Sequence, residues 1–171
     1  MELIPLPDAP KAAQNRPLAI DEFAAALPAS AAILGLDVGT KTVGLAISDV
    51  TRTIATPLRT LRRTKFTADA AALMALVAER DVRGFVIGLP VNFNGTEGPR
   101  AQSCRAFARN LGMLTTLPIT FWDERLSTAA AERALLEADA SRKRRGEVID
   151  AVAAGFILQG ALDRMKTGLR A

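Results

Sequence analysis

Apolar residues follow one another along this chain in short runs separated by turn residues. Residues 32–38 and 42–48 form two such runs on either side of the turn Gly39–Lys41, and residues 53–61 form a third. Three consecutive runs joined by short turns predict an antiparallel set of strands. Two later runs, 84–89 and 119–122, are short and almost wholly apolar, which is typical of buried strands flanked by helices.

Between and after these strands, apolar positions recur at helical spacing. They predict helices at 20–26, 67–80, 99–111, 127–138 and 146–166. The order of elements predicts an α/β fold with a mixed five-stranded sheet, whose first three strands are antiparallel, flanked by helices. This is the order found in the RNase H-like fold. In that arrangement the first strand is central, and the fourth and fifth strands lie beside it.

The 171 residues suit one domain with a proper core. Residues 1–31 are rich in Ala and Pro and are predicted to be an extension, flexible apart from the short helix at 20–26. Residues 32–171 then form the domain. No apolar run approaches the roughly 18–20 residues of a membrane span, and the acidic N-terminus does not resemble a secretory signal. Cys104 is the single cysteine, which fits a reducing cytoplasm.

The residue types that the chain lacks exclude several kinds of catalytic site. The chain has no histidine and no tyrosine, so Ser-His-Asp and Cys-His catalysis and a tyrosine nucleophile are all excluded. One cysteine without histidine also excludes the usual zinc sites. Catalysis must therefore use carboxylates, Lys or Arg, hydroxyls and a metal, and oxygen ligands favour Mg²⁺ or Mn²⁺.

The net charge of +4 hides an uneven distribution. Residues 1–31 carry a net charge of −2, so the rest of the chain carries +6. Basic residues cluster at 59–65 and in the run Arg142–Arg145. Such clusters attract polyanions such as nucleic acids, although a solvated basic loop would have the same composition.

Three acidic residues stand at the ends of predicted elements. Asp37 ends the first strand, Glu124 follows the last strand, and Asp150 lies on the apolar face of the last helix. Meeting at one edge of the sheet, they would form a divalent-metal site acting on phosphate esters. Each acid also has a structural explanation: Asp37 in a turn, Glu124 at a helix N-terminus, and Asp150 in an ion pair with a neighbouring arginine.

Polar residues close to these acids are candidates for contacts with a phosphate backbone. The loop between Gly88 and Pro99 has small residues, amides and hydroxyls that could approach phosphates closely. Neighbouring side chains on a strand point to opposite faces, so one of Asp123 and Glu124 should point away from the site. The candidate substrate-binding residues are Thr40, Lys41, Asn92, Thr96, Arg125 and Thr128.

Four segments together resemble the YqgF/RuvX family of bacterial RNase H-like proteins. They occur in family order at family spacing and span residues 32 to about 165: Leu36–Gly44, Gly88–Asn92 with Gly95–Pro99, Asp123–Thr128, and Asp150–Leu158. The resemblance implies a cytoplasmic nuclease of ribosome biogenesis that trims the 5′ end of the 16S ribosomal RNA precursor. It also implies that Asp37, Glu124 and Asp150 are the catalytic triad and hold two Mg²⁺ or Mn²⁺ ions.

The chain departs from the family pattern in two places. Asn94 stands where the family usually has Asp, outside the triad, and residues 1–31 have no counterpart in a typical member. The sequence does not decide between RNA and branched DNA as the partner, or between a monomer and a homodimer.

Other functions share parts of this pattern. The Asp-x-Gly-Thr hairpin also occurs in actin-like and sugar kinases, but these need a second copy of the fold. A Holliday-junction resolvase would use the same acids on DNA, and a non-catalytic nucleic-acid-binding module would keep them as relics. A Walker A loop is excluded, because Leu45 stands where the lysine is required.

Overall fold

The computed structural model of the protein describes residues 15–127 and 142–168. In these ranges the elements follow in the order α1 (Ile20–Ala26), β1 (Ala32–Val38), β2 (Thr42–Ser48), β3 (Ala55–Arg62), α2 (Phe66–Arg80), β4 (Val82–Leu89), α3 (Pro99–Gly112), β5 (Ile119–Asp123) and α4 (Arg142–Gly168). A short 3-10 helix, Glu124–Leu126, follows β5. The predicted bounds of α1, β1 and β2 are confirmed residue for residue.

The strands form one sheet in the order β3-β2-β1-β4-β5. The β1–β2 and β2–β3 pairs are antiparallel, whereas the β1–β4 and β4–β5 pairs are parallel. The central strand β1 is buried along its whole length, as its continuous apolar run predicts. The predicted mixed five-stranded sheet with an antiparallel first half is therefore confirmed. The expectation that β5 lies beside β1 is wrong: β1 pairs with β2 and β4, and β5 pairs with the far side of β4.

Several element bounds differ from the prediction for local reasons. β3 begins at Ala55 rather than at residue 53, because the Asp49 carboxylate accepts hydrogen bonds from the amides of Thr53 and Ile54 and holds them in a turn. β4 begins two residues early because Val82 pairs with Ala32. Helix α4 begins at Arg142, four residues early, and the predicted helix at 127–138 lies almost wholly outside the described residues.

The two faces of the sheet are covered by different helices, and a separate core lies on each. Helices α2 and α3 pack on one face around Leu36, Ile87 and Phe107. Helix α4 packs on the other around Ile157 and Leu158, with Phe23 from α1 beside it. A Cβ added at Gly35 would lie 2.7 Å from the Leu158 Cβ, so α4 sits directly on β1.

Residues 15–31 lie against the sheet. The Leu18 amide donates to the Ile119 carbonyl at 2.7 Å, and the Phe23 side chain is fully buried. The domain boundary at residue 31 stays a prediction. In the described ranges, no helix is long and apolar enough to span a bilayer.

Candidate acidic active site

Asp37 lies near the end of the central strand, with a glycine beside it on each neighbouring strand. Asp37 pairs with Gly44 on β2. Leu36 pairs with Ile87 on β4, so Asp37 and Gly88 are neighbours one step further along the parallel pair. The Asp37 residue is only 5% exposed. At both glycines the space that a Cβ would fill is taken by another part of the chain.

Asp150 is placed by the first of these glycines. A Cβ at Gly44 would overlap the carbonyl group of Asp150, so helix α4 crosses β2 in direct backbone contact at this point. The hydroxyl of Thr42 donates a 2.6 Å hydrogen bond to Asp150 Oδ2. Because Thr42 begins β2 two residues before Gly44, this bond turns the Asp150 carboxylate toward the β1–β2 turn.

Glu124 is placed by the second glycine. A Cβ at Gly88 would lie 2.7 Å from Glu124 Oε1, so the carboxylate lies over the end of β4. The same Cβ would also meet the Ile157 side chain of α4 at 2.5 Å. Glu124 is 8% exposed and begins the 3-10 helix, whose tight turn was not predicted. The carboxylates of Glu124 and Asp37 therefore lie on the face of the sheet that α4 covers.

The Asp123 side chain points away from Glu124 and binds Arg125, as the alternation of side chains along β5 predicts. Its carboxylate accepts hydrogen bonds from the Arg125 amide at 2.9 Å and from the Arg125 guanidinium, down to 2.7 Å. The Arg125 hydrogen bonds lower the pKa of Asp123 below its usual value, against a smaller opposing effect of burial. Asp123 is thus the ionised partner of Arg125.

The loop after β4 is tied together by its own side chains. Asn92 Nδ2 donates to Thr96 Oγ1 at 3.0 Å, and the Thr96 hydroxyl donates to Asn94 Oδ1 at 2.6 Å. Arg125 Nη1 donates to the Asn92 carbonyl at 3.3 Å, which connects the loop to the end of β5. At the loop tip the Phe93 side chain is 99% exposed. The loop is therefore an ordered arm that carries an unburied aromatic ring beside the acids.

Cations surround the same edge. Thr40 and Lys41 are exposed in the β1–β2 turn, and Arg63 Nη1 donates to the Gly39 carbonyl of that turn at 2.8 Å. The buried Cys104 thiol lies beneath it, with Sγ 3.7 Å from the Val38 carbonyl oxygen. Burial raises the pKa of this thiol to about 11, with a smaller contribution from the Glu124 and Asp37 charges and opposition from Arg100 and Arg63.

The structure shows where the predicted substrate-binding residues lie. Of the predicted phosphate-binding residues, Asn92, Thr96 and Arg125 form one hydrogen-bonded group, and Thr40 and Lys41 lie in the turn after Asp37. Thr128 lies outside the described residues. The metal-ligand and substrate-binding roles stay predictions.

The donor set matches the oxygen ligands that Mg²⁺ and Mn²⁺ prefer. Among residues 15–127 and 142–168, however, no three acidic or sulfur-bearing side chains are already close enough together to hold an ion. The carboxylates share an edge without converging on one point. The Asp150 carboxylate is turned toward β2, where it accepts the hydrogen bond from the Thr42 hydroxyl.

Known proteins resemble this chain along most of its length. The family model for RuvX, described as Holliday junction resolvase, matches residues 31–164. The chain belongs to the RuvX family. A relative from Rhodobacter capsulatus is 72% identical over 146 residues, covering 85% of this chain and 92% of the relative. One from Paracoccus denitrificans is 67% identical over 147 residues, covering 86% and 93%. Both carry the name "putative pre-16S rRNA nuclease".

A solved structure shows the same fold. RuvC of T. thermophilus, determined with a Holliday junction substrate, superposes with a TM-score of 0.50 at 12% identity, covering 80% of this chain and 97% of RuvC. RuvC has an RNase H-like fold, so the predicted fold class is confirmed. The family model and the relatives confirm the predicted family.

Sequence reasoning missed the residues that place the acids. Thr42, Gly44 and Gly88 lie within the family segments, but their contacts with the acids do not follow from the sequence pattern. A glycine inside a strand does signal a close backbone approach, which was the available clue. Arg63 was counted as part of a basic cluster, whereas the structure bonds it to the Gly39 carbonyl beside the site.

Proposed function

We propose that this protein is a metal-dependent endonuclease that hydrolyses phosphodiester bonds at the 5′ end of precursor 16S ribosomal RNA, in the cytoplasm. The observation that carries the proposal is the position of Asp37 between Gly44 and Gly88, with Asp150 and Glu124 seated against those glycines. Three carboxylates from separate elements at one edge of a sheet suit a two-ion phosphodiesterase. The names of the RuvX relatives supply the RNA substrate.

Asp37, Glu124 and Asp150 would hold two Mg²⁺ or Mn²⁺ ions. Ions bound there would supply an activated water and would stabilise the leaving oxygen of an in-line displacement. Asp37 and Glu124 are both buried, and a buried carboxylate attracts a bound cation more strongly than one in water does. The Thr42 hydroxyl orients Asp150 for its part in the site.

The surrounding residues position the substrate. Thr40 and Lys41 offer a hydroxyl and an ammonium group at the exposed turn, where a phosphate could meet them. Arg125 holds the loop through the Asn92 carbonyl, so that Thr96 and the Phe93 ring stand beside the scissile position. A base can stack on an exposed ring without sequence preference. We assign Thr128 to the same phosphate-binding group from its motif.

A four-way DNA junction is the second candidate substrate. The RuvX family model carries the description of a junction resolvase, which is the observation that favours it. Such an activity would use the same acids, and a homodimer would place two sites on one junction. RNA trimming would need only a monomer.

A cleavage assay separates these candidates. Wild-type protein, Asp37→Asn and Asp150→Asn are each incubated with precursor 16S RNA, an unstructured single-stranded RNA and a four-way DNA junction, with Mg²⁺, Mn²⁺ or EDTA. Metal-dependent cutting of the precursor that both substitutions abolish would support the proposal. Cutting of the junction alone would replace RNA by DNA as the substrate. No cutting by the wild type, or equal cutting by the variants, would refute a nuclease that uses these acids.

A further inference from the structure

A cavity lined by arginines lies beside the edge strand β5, apart from the acidic site. It has a volume of about 280 Å³ and is lined by Asn15, Arg16, Pro17, Arg105, Arg109 and Phe121. Three of these residues are arginines and none is acidic. We refer to this cavity as the arginine pocket. None of its residues takes part in the acidic site, and Asn15, Arg16 and Pro17 lie outside the part of the chain that matches the RuvX family model.

The N-terminal wall of the arginine pocket is fixed in place by hydrogen bonds. Asn15 Nδ2 donates to the carbonyl oxygens of Thr115 at 2.9 Å and Leu117 at 2.8 Å. Three residues on, Leu18 is held by backbone bonding to β5, and its carbonyl accepts from the Thr120 hydroxyl at 2.8 Å. Arg16 lies between these two attachments, so its backbone position over the cavity is determined.

A glycine allows this wall to form. A Cβ at Gly112 would overlap the carbonyl oxygen of Asn15, so only glycine permits the segment to lie this close to the end of α3. The N-terminal wall therefore meets helix α3 and strand β5, which lie about 100 residues further along the chain, and the three together line one cavity.

The three arginines of the pocket differ in how far their charges are compensated. The Arg105 guanidinium is held by the Glu97 carboxylate through two hydrogen bonds and lies over the Phe121 ring, 5.1 Å from its centroid. Arg16 and Arg109 are exposed and form no ion pair within the described part of the chain. The pocket thus presents one positioned guanidinium stacked on a ring and two uncompensated positive charges, a combination that favours a phosphate group.

The arginine pocket extends along β5 toward the residue that precedes Glu124. An adjoining cavity of about 470 Å³ shares Pro17, Arg105 and Phe121 with it, and also reaches Trp122, Asp123 and Arg164. Glu124 is the next residue after β5. Glu124 lies three positions after Phe121, a distance of about 10 Å along an extended chain. A nucleic-acid strand that enters the acidic site could therefore continue along this groove to the arginine pocket.

We propose that the arginine pocket binds a backbone phosphate of the single-stranded RNA that flanks the cleavage site. This deepens the proposed function and rests on it. Guanidinium groups beside aromatic rings are the combination by which proteins hold single strands without reading sequence. The pocket lies on an edge strand of the sheet, where a flexible strand can pass and a rigid duplex would have to clear residues 15–18. The segment before the family domain is thus part of the substrate-binding surface.

The test compares RNA binding by variants of the full-length chain. In the Asp37→Asn background, which prevents cutting, Arg16→Ala with Arg109→Ala is measured against a hairpin RNA with a single-stranded flank and the same hairpin with a blunt end. We expect the double substitution to weaken binding of the flanked RNA about tenfold and to reduce the salt slope by about 0.7, the value of one single-strand phosphate contact. Binding of the blunt hairpin should change less than twofold.

Arg80→Ala provides the matched control. Arg80 is an exposed arginine at the end of α2 that lines neither cavity, and its loss should leave both affinities unchanged. A flank of DNA in place of RNA carries the same phosphates, so the double substitution should weaken its binding to the same extent. A loss of affinity confined to the RNA flank would show that the pocket contacts the ribose 2′-hydroxyl and would overturn the assignment to a phosphate.

The two proposals can fail separately. If wild-type protein cleaves flanked RNA, and the Arg16→Ala, Arg109→Ala variant binds that RNA as tightly as its parent, the arginine pocket is not a phosphate site and the nuclease proposal stands. If the wild type neither binds nor cleaves RNA with any flank, both proposals fail. In the cutting-competent background, the double substitution should raise KM with little change in kcat, because it removes binding remote from the reacting phosphate.

Discussion

The acidic site and the arginine pocket lie at opposite ends of a short stretch of chain, from Phe121 to Glu124, and are built in opposite ways. Asp37 and Glu124 are buried carboxylates set against glycines, where small changes in backbone position alter the site. The exposed arginines Arg16 and Arg109 lie on a docked N-terminal segment and on a helix surface. The buried carboxylates suit a catalytic reaction, which requires precise geometry. The exposed arginines suit the binding of a polyanion, which tolerates movement of the side chains.

This difference predicts how each region should respond to substitution. Changes at the acidic site should affect the reaction rate or the fold. Changes at the arginine pocket should affect substrate binding and its salt dependence, with little effect on stability.

The largest effect is expected from two neighbouring acids with different roles. Glu124→Gln should reduce cleavage by on the order of 10³, because under the proposed function it removes a metal ligand. Asp123→Asn should reduce it less than about tenfold, since Asp123 is the ion-pair partner of Arg125. Single-turnover cleavage of precursor RNA by both variants measures this contrast. Equal losses would show that the assignment of Glu124 to the site is wrong.

A glycine-to-alanine pair tests the close packing under the site. Gly44→Ala should lower the free energy of unfolding by about 3 kcal/mol, because the new Cβ overlaps the Asp150 carbonyl and α4 must move. Gly155→Ala on the same helix meets only Pro57 at 3.4 Å, and should be neutral or stabilising by up to about 1 kcal/mol. Urea denaturation measures both. A stable Gly44→Ala protein would contradict the described contact.

The buried thiol beneath the acids provides a probe that needs no substrate. Burial raises the pKa of Cys104 from 9.0 to about 11. At pH 8 its alkylation by iodoacetamide should therefore be about 100-fold slower in the folded protein than in urea, since the thiolate is the reacting form. The raised pKa stabilises the folded state below pH 9, and this contribution is lost as the pH rises toward 11. Equal alkylation rates would contradict the burial.

The smallest effect is expected at the N-terminal wall of the arginine pocket. Asn15→Ala removes two hydrogen bonds to the chain before β5 and should destabilise the segment by about 1–2 kcal/mol. Hydrogen exchange at the Leu18 amide should accelerate while the amides of β1 stay protected. Unchanged exchange at Leu18 would show that the Asn15 bonds do not hold the segment.

The two regions also differ in what the sequence could predict. Asp37 lies near the end of an apolar strand, Glu124 follows another, and Asp150 lies on the apolar face of α4, so strand and helix patterns predict that the three acids share one edge of the sheet. The family segments add their order and spacing. The bounds of β1 and β2 followed from the same patterns, because a buried central strand leaves little freedom in register.

The arginine pocket depends on contacts that a local pattern does not encode. Asn15 bonds to carbonyls 100 and 102 residues away, and Gly112 matters only because Asn15 lies over it. Arg16, Arg105 and Arg109 read as ordinary surface residues in the sequence. The 3-10 helix that begins at Glu124 was missed for a related reason: the Asp123 side chain accepts from the Arg125 amide and tightens the turn.

The central claim is that Asp37, Glu124 and Asp150 form one metal site, and Mn²⁺ binding in the absence of substrate tests it most directly. Isothermal titration of the wild type, Asp37→Asn, Asp150→Asn and the control Asp123→Asn would give the number and affinity of bound ions. We predict two ions in the wild type and in Asp123→Asn, and the loss of at least one ion in each of the other variants. Equal Mn²⁺ binding by the wild type, Asp37→Asn and Asp150→Asn would contradict the claim.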